Sequence, residues 1–188
     1  TLATMDDARR ELHDAWIWIE DGIIRALGVH TDEAPPAADT THDLRQHVVI
    51  PGIINTHHHM FQSLTRCIAQ DRELFGWLQT LYPIWSRLTG EAIYASARLA
   101  MAELMLSGCT TSSDHLYIYP NDVRIDDEIR AAQEIGIRFH AARGSMSVGE
   151  SKGGLPPGVV GEQEAAILYD PRRAIETYHD ASPYSMLR

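Results

Sequence analysis

The feature that most constrains this chain is an alternation that begins after Pro51. Short apolar segments exchange with stretches of helical composition. Ile53-Ile54-Asn55-Thr56-His57 reads as a strand. Residues 91–107 are rich in Ala, Leu, Met and Glu, and Gly108 stands where such a helix would be capped. Residues 109–114 read as the next strand, 126–135 as a helix closed by Gly136, and 137–142 as a third strand. Residues 145–161 form a polar Gly/Pro-rich loop, long enough to be either a lid or a floppy connection. Residues 162–180 are mostly helical, with an interruption expected at Asp170-Pro171. Strands alternating with helices build a parallel α/β sheet, which must be covered by helices. Three such strands are too few for a closed eight-stranded barrel, which needs about 200 or more residues. Tyr184 to Arg188 reads as the start of a further strand, so a cut chain is expected.

The first fifty residues read differently. Ala15-Trp16-Ile17-Trp18-Ile19-Glu20 is rich in strand formers, Asp21-Gly22 is a hairpin signal, and residues 23–28 supply the return strand. Residues 31–43 are a loop. His47-Val48-Val49-Ile50 reads as a buried strand stopped by Pro51-Gly52. The expected organisation is a small β-part over 1–50 and an α/β body over 51–188.

The chain has 188 residues and 16 Lys+Arg against 26 Asp+Glu, a net charge of −10. That acid excess argues against nonspecific binding to nucleic acid, which needs clustered cations. No apolar run approaches the roughly 18 residues of a bilayer span, and the start lacks the pattern of a signal peptide. The first residue is Thr1, so a missing N-terminus is expected. Cys67 and Cys109 belong to no CxxC, and two reduced core thiols in a cytoplasmic protein are expected. A homo-oligomer is compatible with this composition.

Asn55-Thr56-His57-His58-His59 is the strongest chemical signal. On a strand, residues i and i+2 share a face, so His57 and His59 are expected to project together and His58 to point away. Two imidazoles side by side at the C-terminal end of a buried strand suit a divalent metal such as Zn2+, with Fe2+ also accepting imidazole. A solvated or hydrogen-bonded histidine patch is the alternative.

These residues carry a resemblance. Val49-Ile50-Pro51-Gly52-Ile53-Ile54-Asn55-Thr56-His57-His58-His59-Met60-Phe61-Gln62 resembles the first barrel strand of the amidohydrolase superfamily, in its cytosine/guanine/chlorotriazine deaminase branch. Leu74-Phe75-Gly76-Trp77-Leu78, Gly108-Cys109-Thr110-Thr111, Phe139-His140-Ala141-Ala142-Arg143-Gly144-Ser145 and Ser151-Lys152-Gly153-Gly154-Leu155-Pro156-Pro157 agree with it. The resemblance implies a (β/α)8 TIM-type barrel with a small β-sandwich domain, of which this chain holds the N-terminal portion. It implies hydrolytic deamination of an aminopurine, with 8-oxoguanine expected and guanine, cytosine or a chlorotriazine as alternatives. It implies metal held by His57 and His59. Two further histidines, an aspartate and a glutamate are implied from later strands, outside the matched region. A metal-binding fragment without independent activity is therefore a third reading.

Gln62 lies near the mouth of such a site and is expected to touch substrate, as is Arg143 at the end of the third strand. Trp77 is balanced between pocket wall and core, because Trp77, Leu81 and Trp85 also follow a helical i, i+4, i+8 stripe; Trp85 is assigned to the core. Arg66 is read as an ion-pair partner. Asp114-His115 is either support behind a metal or a helix cap with a surface histidine. His140 is read as a core residue.

Overall fold

The computed structural model describes residues 1–188, the side chain of Val159 excepted. The chain divides into two compact units, Thr1–Gly52 and Ile53–Arg188.

In the first unit, β1 (Leu2–Ala3) pairs antiparallel with β2 (Glu11–Leu12), and β3 (Ala15–Glu20) with β4 (Ile23–Val29). The β3–β4 turn is Asp21-Gly22, with φ of 52° and 73°. Positive φ at both central positions matches the right-handed twist of the flanking strands, which is why Asp-Gly closes this hairpin. Trp16 is buried and donates its indole N–H to the Glu33 carbonyl at 3.2 Å. Residues 47–50 do not form the expected strand. Only Val49 bridges Leu2, in parallel, since three turn-forming residues precede it and Pro51 follows.

The second unit carries β5 (Ile53–Asn55), β6 (Cys109–Leu116) and β7 (Arg138–Arg143) in a parallel sheet of order β5-β6-β7. Four helices connect and cover it: α1 (Leu74–Trp85), α2 (Gly90–Leu106), α3 (Ile125–Ile135) and α4 (Glu164–Tyr178). Thr89 caps α2 by accepting the Ala92 N–H at 3.3 Å, and Gly108, at φ +90°, lets the chain turn straight into β6. Ala97 and Ala100 of α2 and Ala131 and Ala132 of α3 are buried together with Met60, Met101 and Phe139. Small residues at this seam let the two helices approach closely. A second cluster joins Phe61, Leu81, Trp85, Ile93, Leu116, Ile118, Ile125 and Ile129. Trp85 is fully buried, as its place on the apolar stripe predicts.

Three expectations change here. The strand before the histidines is an edge strand, not a buried one: Ile53 is 50% and Ile54 65% exposed, because β5 is paired on one side alone. Asp170-Pro171 does not interrupt α4, which runs through Pro171; Asp170 is gripped by Arg143 and Arg173 at that point. The loop before α4 is neither open coil nor part of the histidine cleft. The Glu162 N–H closes its base on the Met146 carbonyl at 2.8 Å, and Met146, Leu155 and Val160 pack into the core. At the end of the chain Leu187 bridges Phe139 of β7 in parallel, with Arg188 N–H on the Phe139 carbonyl at 3.0 Å. Among the described residues no helix is long and apolar enough to cross a membrane.

Candidate active site

β5 ends at Asn55, so the three histidines lie in irregular backbone rather than on the strand. The rings of His57 and His59 still meet, edge to face, with centroids 5.1 Å apart. β6 supplies the restraints. His115 N–H donates to the His58 carbonyl at 3.0 Å, and the His115 carbonyl lies 2.8 Å from His59 Nδ1. A carbonyl only accepts, so Nδ1 of His59 is the donor, and in the neutral ring the lone pair is then on Nε2. This tautomer is the one that suits a metal ligand whose other ring nitrogen is held by the protein.

His58 borders the same cleft but turns its Nδ1 inward, to 3.9 Å from buried Asp114, while the rings of His57 and His59 meet each other. Burial first, and the neighbouring histidines, hold the His58 imidazole below its usual range, so it stays neutral at pH 7. The His115 ring sits 5.4 Å from that of His59 and is also shifted down, chiefly by burial. Gly144 makes room for it: a Cβ there would stand 2.3 Å from His115 Nε2.

The cleft has a volume of about 610 Å³ and is lined by His57, His58, His59, Gln62, Arg66 and Trp77, among others. Gln62 donates from Nε2 to the Tyr117 hydroxyl at 3.2 Å. Trp77 is both wall and core, since it lines the cleft and meets Trp85 edge to face at 5.2 Å. Arg66 forms the expected ion pair, with Glu103, its Nη1 at 3.0 Å and Nη2 at 2.5 Å from the two carboxylate oxygens.

Arg143 is not brought to the cleft, which corrects its assignment as a substrate contact. Its side chain is 6% exposed. Nε donates to Asp170 at 3.1 Å, Nη1 to the Gly144 carbonyl at 2.7 Å and to Glu162 at 2.9 Å, and Nη2 to Glu162. The guanidinium carbon lies 3.8 Å over the Tyr119 ring. Four of its five N–H groups are spent on the protein, which makes Arg143 the rivet between β7 and α4. His140, read as core, is exposed on β7.

Sequence reasoning missed Tyr117 and Glu128. Tyr117 packs edge to face on His59 at 5.2 Å and on Phe61 at the same distance; burial pushes its hydroxyl up to about 12. Its signal was the two-residue spacing from His115. Glu128 is fully buried on α3, and its signal was an acidic residue within the apolar stripe of Ile125, Ile129 and Ala132.

The donor set fits an imidazole-accepting divalent ion as far as it goes: one histidine with Nε2 free and oriented, and a second ring beside it. Among the described residues no three His, Cys, Asp or Glu side chains come together as a metal-binding group. Two ligands fall short of the four that zinc usually takes.

The chain is 46% identical over 166 residues to an 8-oxoguanine deaminase of Pseudomonas aeruginosa, an alignment covering 86% of this chain and 37% of that protein. It is 32% identical over 201 residues to a hydroxydechloroatrazine ethylaminohydrolase of Pseudomonas sp. strain ADP, covering 100% of this chain and 42% of that one. The zinc complex of the atrazine chlorohydrolase TrzN from Arthrobacter aurescens TC1 superposes with a TM-score of 0.80 at 30% identity, covering 100% of this chain and 43% of the other. The chain thus spans less than half the length of the relatives it matches. Its fold is that of an N-terminal portion of an amidohydrolase barrel protein. Residues 48–183, which include the paired histidines and the whole β5-β6-β7 sheet, match the model of the Amidohydrolase family, and the chain belongs to that family.

Proposed function

We propose that this chain contributes the first two metal ligands, His57 and His59, to a hydrolase that deaminates an aminopurine, with 8-oxoguanine as substrate and urate and ammonia as products. The single observation that carries the reading is the ring pair itself: His57 and His59 at 5.1 Å, with the His59 Nδ1–H committed to a backbone carbonyl. Zn2+ is the ion we assign, supported by the similarity to the zinc complex of TrzN; Fe2+ would accept the same imidazoles. Such an ion supplies Lewis acidity and a water acidic enough to react at neutral pH.

In the reaction the oxygen of water bonds to the purine carbon bearing the exocyclic amine. The C–N bond breaks and the amine leaves as ammonia, taking up a proton. What this chain's residues do is bind and orient. Trp77 offers an aromatic face to a planar heterocycle. Gln62, held by Tyr117, offers its amide at the cleft. The purine assignment is supported by the 8-oxoguanine deaminase relative. A (chloro)triazine is the second reading, supported by the atrazine-related relatives. An inactive metal-binding fragment is the third, supported by a donor set of two. We place the protein in the cytoplasm, a reading supported by the two free thiols, of which Cys109 is in the core as expected and Cys67 is exposed, not core.

The test is release of ammonia from 8-oxoguanine, guanine, cytosine and a chlorotriazine by a full barrel protein carrying this chain, with metal counted per chain. The purine reading expects urate and ammonia from 8-oxoguanine and loss of both metal and turnover in His57→Ala. Retention of metal and turnover in that variant overturns the site. Chloride release from the triazine in place of purine turnover favours the second reading.

A further inference from the structure

We propose that Asp114 and Ser96 are positioning residues that clamp the backbone of Met60, directly after His59, and thereby set the His59 ring for the role assigned above. The inference rests on the metal-site reading and extends it to residues outside the cleft.

The segment 56–59 has left the sheet, so no strand ladder holds it. It is held instead at points supplied by two other elements. β6 takes the His58 carbonyl and the His59 Nδ1–H through the backbone of His115. Asp114, the preceding residue of β6, accepts the Met60 N–H on Oδ1 at 2.7 Å. Ser96 of α2 donates its hydroxyl to the Met60 carbonyl at 2.6 Å. Met60, Ser96 and Asp114 are all buried, at 0%, 0% and 1% exposure, so water cannot replace either bond. With the residue after His59 fixed on both its N–H and its C=O, the ring has one backbone from which to reach the His115 carbonyl.

The position of Asp114 is costly, which a residue filling core volume would avoid. The carboxyl of Glu128 lies against it within the helix–sheet layer. Oδ2 of Asp114 and both oxygens of Glu128 lack a hydrogen-bond partner of good geometry among the described residues. A buried carboxyl with one oxygen unsatisfied is tolerated when its other oxygen does something no apolar side chain can. Here that is acceptance of the Met60 N–H, the first amide of the 3₁₀ turn Met60–Thr65.

The test uses a full barrel protein carrying this chain, with 15N-labelled histidine rings. Ring spectra report the His59 tautomer, assigned by its disappearance in His59→Gln, and zinc alone is titrated calorimetrically. Wild type is expected in the Nδ1–H form. Asp114→Leu, which removes the acceptor, is expected to shift His59 toward the Nε2–H form and to weaken zinc binding about 10-fold or more, the range seen when groups behind a ligand are removed. Asp114→Asn keeps an acceptor oxygen and is expected to preserve both readouts. A folded Asp114→Leu protein with the His59 tautomer unchanged overturns the proposal, as does loss of the Nδ1–H form in Asp114→Asn. If Asp114→Leu does not fold, Ser96→Ala decides: a shifted tautomer supports the clamp, an unshifted one overturns it. Should wild type bind no zinc while its tautomer responds to these variants, the metal reading falls and the clamp stands.

Discussion

Replacing Asp114 by Asn should change how stability depends on pH, and the structure gives both the sign and the size. Burial is the largest influence on this carboxyl and pushes it from 3.8 up to about 6. Below pH 3.8 the group is protonated in folded and unfolded chains alike and is neutral toward stability. As pH rises from about 4 to 6, the unfolded chain releases its proton while the folded one retains it. Stability is therefore lost across that window. Two units at 1.36 kcal/mol each amount to about 3 kcal/mol by pH 7. Asn cannot ionise, yet it can still accept the Met60 N–H, so Asp114→Asn should escape this loss. Glu128, raised well above its usual range by burial and by the neighbouring Asp114 charge, extends the same trend toward higher pH in the wild type. The measurement is urea unfolding of both proteins at pH 4, 5, 6 and 7, followed by near-ultraviolet circular dichroism. Relative to wild type, the variant should gain about 3 kcal/mol between pH 4 and 7. Two stability curves that stay parallel over that range would refute the reasoning, since they would mean that Asp114 ionises freely in the folded chain.

Arg143→Met should cost about 3–5 kcal/mol, because it strands the carboxylate of Glu162 against the protein interior and leaves Asp170 to Arg173 alone; thermal unfolding together with new proteolytic cuts between residues 144 and 164 would reveal it, and an unchanged melting temperature would contradict the rivet. Trp85→Ala should cost about 3–5 kcal/mol from the emptied core and the lost indole bond to Thr65 Oγ1, at 3.0 Å, which denaturant titration would measure. Gly144→Ala should displace the His115 ring, since the added carbon falls 2.3 Å from Nε2; a ring spectrum of His115 identical to wild type would show that the loop gives way instead.

The alternation after Pro51 was enough to place β6, α2, α3 and β7 within a residue or two, because each carries its own periodicity and its own terminator. Gly108 and Gly136 mark the ends of α2 and α3 by a local requirement for positive φ that a reader can anticipate. The hairpin at Asp21-Gly22 is legible for the same reason. Arg143 is a different case. At a strand end it looks like a ligand contact, and nothing nearby in the chain discloses that Glu162 and Asp170, 19 and 27 positions later, fold back to take its donors. Residues 47–50 show the converse: they have strand composition, but a strand forms where a partner edge is offered, and only Val49 finds one.

The candidate site divides along the same line. Local covalent spacing accounts for two imidazoles arriving together after an apolar segment, and this much belongs to the order of residues. The choice of tautomer at His59, the turn of His58 toward Asp114 and the seating of Met60 between Ser96 and Asp114 belong to the packed molecule. Each depends on contacts between residues about 36 to 56 positions apart, hydrogen bonds for His59 and Met60 and a 3.9 Å approach for His58, and these take direction only once β6 and α2 have been pressed against the segment that carries the histidines.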